Sequence, residues 1–169
     1  MKKLLSTVAL SALLSTSAMA GDMYGSVGAA MTTVSGYDSG VSIVGTAGMK
    51  LDSVLPNFAV ELEASQTLVD PSWSYGSSDY ELSIFGLGVY AVYNFQVPNT
   101  QLTVKPRLGL NYESFSWDNA GWSGVDYTDT SLSYGVGVTY PLSGGLTVYA
   151  DFTDKGDSNN LGAGVGMAF

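Results

Sequence analysis

The chain has 169 residues, with 15 acids against 6 basic residues, a net charge of −9, no Cys and no His. That rules out disulfides and thiol chemistry, removes the commonest general base, and argues against binding the phosphates of nucleic acid. Only 12% of the residues are charged, about half the roughly 25% usual in a water-soluble domain, so much of the surface must meet something other than water.

In chain order, Lys2 and Lys3 precede a mostly apolar run over 4–14 and then Ser17-Ala18-Met19-Ala20. A charged start, a short apolar core and an A-x-A-like site form the pattern of a secretory signal, expected to be cut after Ala20. The run is far shorter than the roughly 20 apolar residues of a spanning helix. No later segment is long and apolar enough either, which excludes a helical membrane protein. The signal takes 1–20 and leaves 21–169 as one domain, because no linker or change of composition divides it. That domain keeps four basic residues against fifteen acids, a net −11.

From Asp22 the pattern has period two, the mark of strands with one apolar face. The first strand, near 23–33, sets Met23, Val27, Ala29 and Met31 against Tyr24, Ser26, Gly28, Ala30 and Thr32. The second, 41–51, sets Val41, Ile43, Ala47, Met49 and Leu51 against Ser42, Val44, Thr46, Gly48 and Lys50. The third, 58–65, sets Phe58, Val60, Leu62 and Ala64 against Ala59, Glu61, Glu63 and Ser65. A polar connection over 67–79 leads to the fourth, near 80–95, whose apolar face is Phe85, Leu87, Val89, Ala91, Tyr93 and Phe95. Leu82 and Ile84 have the opposite parity, which predicts a β-bulge near 83–86.

The fifth strand, 101–115, turns Leu102, Val104, Pro106, Leu108, Leu110 and Tyr112 away from Lys105, Arg107, Gly109, Asn111 and Glu113. Pro106 cannot donate to the ladder, so it is expected near a rim. After a long connection over 116–127, the sixth strand, 130–140, sets Leu132, Tyr134, Val136, Val138 and Tyr140 against Ser133, Gly135, Gly137 and Thr139. A reversal at Pro141-Leu142-Ser143-Gly144-Gly145 gives the seventh, 146–152. A polar loop over 154–159 gives the last. There Leu161, Ala163, Val165, Met167 and Phe169 alternate with Gly162, Gly164, Gly166 and Ala168, and the chain ends on an aromatic residue.

Eight strands joined alternately by longer polar and shorter Pro- or Gly-rich connections predict an all-β fold: an eight-stranded antiparallel up-and-down transmembrane β-barrel. The even count puts both termini on the short-turn, periplasmic side. Segments such as Arg107-Leu108-Gly109-Leu110-Asn111-Tyr112, 134–140 and 162–169 resemble the small outer-membrane β-barrel family of the OmpA/OmpX type. The resemblance covers the whole mature chain and implies a location in the bacterial outer membrane of a Gram-negative cell envelope. The periplasmic peptidoglycan-binding domain of longer members is missing from this sequence, so cell-wall tethering is not expected.

The competing fold is a soluble barrel of the lipocalin type, with its apolar face inward. Here the other face is Gly, Ser and Thr with few charges, too sparse for a wet exterior but suited to a filled eight-stranded lumen. Glu61, Glu63 and Glu113 share the luminal parity with Lys105 and Arg107, and are expected to pair with them as a luminal charge network. Tyr93, Phe95, Tyr140 and Phe169 at the short-turn end, with Phe152 and Phe115 at the other, are expected as interfacial girdles. Trp73, Trp117 and Trp122 are expected to pack loops or anchor the outer interface.

Known outer-membrane barrel enzymes use a His that this chain lacks, so no catalytic residues are expected. No metal, cofactor or phosphate-binding loop is expected either: 154–160 has the composition of a calcium loop without its spacing. Two function classes remain. The first is an outer-membrane barrel with a structural or surface-interaction role that presents polar acidic loops; the second is a narrow porin-like channel, for which the luminal Gly could leave a file of water. Expected partners are outer-membrane lipids and lipopolysaccharide, with periplasmic chaperones and the barrel-assembly machinery during biogenesis. A monomer and no nucleic-acid partner are expected.

Overall fold

The computed structural model describes residues 23–75, 78–118 and 126–169. The strands are β1 Met23–Val34, β2 Gly40–Lys50, β3 Phe58–Val69, β4 Ser72–Tyr75, β5 Ser78–Tyr93, β6 Phe95–Gln96, β7 Thr103–Asp118, β8 Asp126–Pro141, β9 Leu146–Asp154 and β10 Ser158–Ala168. Every pairing is antiparallel, and β1 pairs with both β2 and β10. The β5–β7 pairing completes the circle. Because β4 pairs only with β5, and β6 only with β7, these two pieces prolong neighbouring strands. The wall is therefore a closed barrel of eight strands, with no long free edge in the wall.

Which face looks outward follows from exposure. Val136, Val148 and Val165, one on each of three neighbouring strands, are 47%, 37% and 50% exposed on the outside. Leu108, Leu110, Leu132 and Leu161 stand beside them, also exposed. The buried inward set is rich in polar groups, Thr32, Ser42, Glu61, Glu63, Arg107, Ser133, Thr153 and Lys155, beside a smaller number of apolar and aromatic side chains such as Leu82, Tyr90 and Phe115. This inverts the order of a soluble barrel and presents hydrocarbon-compatible side chains all round the wall.

Two expectations about strand four need correction. The pairing of β5 with β7 runs without a shift from Glu81–Asp118 to Val92–Arg107, so there is no bulge near 83–86. Leu82 and Ile84 keep the luminal parity and are buried with Phe115, packed by Val34, Tyr37 and Trp117. Phe115 accordingly lies inside and not in an outer girdle. The alternation rule fails there because the bore at this end is filled by apolar side chains. The register shift lies instead between β2 and β3, beside Leu68.

The wall is uneven in height. β1, β2 and β10 have 12, 11 and 11 residues and β9 has 9, whereas β5, β7 and β8 have 16 each. The last residue of β9 to pair with β8 is Asp154, opposite Tyr134, so β8 continues beyond it at the loop end. At the other end the reversal between β8 and β9 is one tight turn. Gly144 and Gly145 there have φ of 76° and 78°, which side chains other than Gly seldom adopt.

Candidate functional site

The centre of the bore is a chain of alternating charges. Tyr24 donates to Glu61 at 2.6 Å, and Lys105 Nζ lies 2.5 Å from the same Oε1. Arg107 lies 4.0 Å from Glu61 and 2.7 Å from Glu63. Its other terminal nitrogen meets Asp151 at 3.0 Å and donates to Thr153. Lys155 closes the row, 2.9 Å from Glu63 and 3.2 Å from Ser65 Oγ. Each cation thus has a carboxylate within direct reach, as charges withdrawn from water require.

The structure brings together Glu61, Glu63, Lys105 and Arg107 of the residues singled out from sequence. Glu113 stands apart: Ser158 Oγ donates to it at 2.7 Å, and its other oxygen has no hydrogen-bond partner. Asp151 and Lys155 take the remaining places in the row. Lys155 fell in a stretch read as a polar loop. The signal that would have found it is parity, since residues 151, 153 and 155 continue the inward face of β9.

Aromatic rings and glycines fill the space around the charges. Lys105 Nζ stands 4.8 Å from the centroid of the Tyr24 ring, and the Arg107 guanidinium stands 4.7 Å from that of Tyr90. A Cβ on Gly88 would come within 2.5 Å of the Tyr90 ring, and one on Gly164 within 2.7 Å of the Tyr149 ring. Gly48 faces the Tyr24 ring in the same way. These luminal glycines are therefore slots for rings. Opposite Lys105 and Arg107 on β8 stand Gly137 and Gly135, leaving room for long side chains.

The bore is layered. A cavity of about 330 Å³ occupies the short-turn end, bordered by Lys50, Asp52 and Asn57 and reaching Lys105, Arg107 and Asp151. Above it come the charges with Tyr90, Ser133 and Thr153, each of them 0% exposed. The apolar cluster of Leu82, Ile84 and Phe115 fills the loop end, and Trp117 donates to Tyr37 at 3.2 Å across the mouth.

Tyr93, Phe95, Tyr140 and Phe169 lie at the short-turn end and are exposed, as is Phe152 farther up between Val136 and Leu161. The ring of Phe169 folds back over Gly25. Of the tryptophans, Trp73 lies against Tyr80 with ring centroids 5.6 Å apart and the planes tilted by 33°. Trp122 lies outside the described residues. Among the described residues, no group of three or more acidic side chains is placed to hold a metal.

An apolar exterior, a charged filled interior and full closure define a transmembrane β-barrel. The family of outer membrane protein beta-barrel domains matches residues 6–169, and the chain belongs to it. Neisserial surface protein A is 21% identical with a TM-score of 0.64, covering 87% of this chain and 97% of its own. The N-terminal β-barrel domain of Pseudomonas aeruginosa OprF is 15% identical at 0.62, covering 88% and 98%. The attachment invasion locus protein Ail of Yersinia pestis is 19% identical at 0.57, covering 88% and 100%. At these identities the structures share the fold. No curated protein matches the sequence. The protein is a β-barrel of the bacterial outer membrane.

Proposed function

We propose that this barrel is sealed and non-catalytic, and that its work is structural and lies in contacts made at its loop end. The single observation that carries this reading is the filled bore: Glu61, Glu63, Arg107 and Lys155 are buried between the short-turn cavity, which Lys105 and Asp151 border, and the apolar cluster. Eight strands enclose only enough room for side chains, and here large ones occupy it. With no His in the sequence, hydroxyl groups lack the usual base.

Acyl chains and lipopolysaccharide are the partners of the outer belt. Chaperones and the assembly machinery act before insertion, and the barrel works as a monomer. One Ail structure contains a heparin analogue, sucrose octasulfate. An anionic glycan is a poor fit here, because the domain is strongly acidic. Planar-bilayer recording of the refolded protein tests the reading. It predicts no discrete, steady conductance steps; reproducible steps would favour the narrow channel instead.

A further inference from the structure

The loop end carries a second feature that the sealing of the bore does not use. The luminal face continues upward onto the tall strands, where register places aromatic residues side by side. Trp73 pairs with Tyr80 on β4 and β5, and two residues further along β5 Leu82 pairs with Trp117 on β7. Phe115 pairs with Tyr127 on β8, their rings 5.8 Å apart. Tyr37 leans in from the β1–β2 loop against the same cluster. Trp73 and Tyr127 are 45% and 47% exposed, so the floor is apolar and the upper rings are open to solvent.

The charge around this aromatic face has a single sign. Asp129 shares the face of Tyr127 two residues along β8, whereas Asp126, held by Ser116 Oγ at 2.7 Å, stands on the opposite face at the end of the strand. Asp38 belongs to the loop whose backbone is tied to Ser72 of β4 at 2.8 Å. The mature domain has only four cations, Lys50, Lys105, Arg107 and Lys155. Lys50 borders the short-turn cavity, Lys105 and Arg107 lie in the lumen, and Lys155 is 1% exposed with its ammonium on Glu63. No basic side chain is left to neutralise the loop end, and the sequences of 76–77 and 119–125 add none.

We propose that this aromatic face with its acidic rim docks an arginine-bearing segment of a partner protein. A guanidinium is planar, stacks on Tyr and Trp, and forms forked hydrogen bonds with carboxylates. Lysine offers the charge without the flat face, so the surface prefers arginine. The field of the unbalanced acids draws such a segment in, and salt weakens it. The proposal deepens the reading of a barrel that works at its loop end, yet its test does not depend on whether the bore conducts.

The test uses the mature protein in nanodiscs of zwitterionic lipid, with short Arg-rich, Lys-rich and Glu-rich peptides of equal length, followed by calorimetry and Trp emission. The Arg peptide is expected to bind, more weakly in high salt; the Lys peptide binds less tightly, and the Glu peptide not at all. Tyr127→Leu, and separately Trp73→Leu, weaken the Arg peptide about three- to five-fold, and Asp129→Asn also weakens it. Heat-modifiable migration on a gel checks that each variant is folded. No binding, binding indifferent to all three substitutions, equal uptake of the Lys and Arg peptides, or saturable uptake of calcium that the peptide does not compete with would each overturn the proposal.

Discussion

Arg107 is the most connected side chain in the lumen. Its guanidinium meets Glu63, Asp151 and Thr153 and lies over the Tyr90 ring. Truncation strips the partner carboxylates of their charge compensation inside the lumen. Arg107→Ala is expected to cost about 3–5 kcal/mol, read as a lower urea midpoint for unfolding from lipid vesicles; an unchanged midpoint would contradict the buried row. Glu113 has no cation in direct contact and one oxygen without a partner. Glu113→Gln is therefore expected to shift the same midpoint by less than about 1 kcal/mol, or to raise it. The slot at Gly88 predicts a third result. Gly88→Ala pushes a methyl group into the Tyr90 ring and should cost about 1–3 kcal/mol. Most of that cost should vanish when Tyr90 is also replaced by Ala, since the two positions are coupled.

Period two was readable from the sequence wherever a strand has lipid on one side and a packed lumen on the other. At the loop end that contrast fades. β3 runs on to Val69, β8 begins at Asp126, and Ser72–Tyr75 forms a strand inside a stretch read as loop. Beyond the lipid, both faces of a strand meet water or other protein, so composition no longer alternates. Leu82 and Ile84 were hidden for a related reason: an apolar residue facing inward breaks the pattern unless the bore is known to be plugged there. The plug makes its own prediction. Phe115 is 3% exposed against Leu82 and Ile84, so Phe115→Ala should cost about 3–5 kcal/mol. It should also speed amide exchange in the upper parts of β5 and β7 more than in β9 and β10. Uniform acceleration would mean that the cluster does not act as a local unit.

Across the whole molecule, strand number, order and orientation could be read from the chain, because each follows from local alternation and connection length. The filling of the bore could not. It depends on which ring meets which glycine across the wall, as with Tyr24 and Gly48 or Tyr149 and Gly28, pairs brought together only by the final register. Lys155, the partner of Glu63, was missed because it lies just past the end of β9 in a stretch read as polar loop. The account depends on the apolar half of every strand facing acyl chains. The chain has no Cys, so single cysteines carrying an environment-sensitive fluorophore can be placed one at a time along β7 and β8 in vesicles of brominated lipid. Quenching is expected at Leu108, Leu110, Leu132 and Val136 and not at Arg107, Asn111 or Ser133, an alternation with period two. Quenching of the second set, or no alternation, would contradict it.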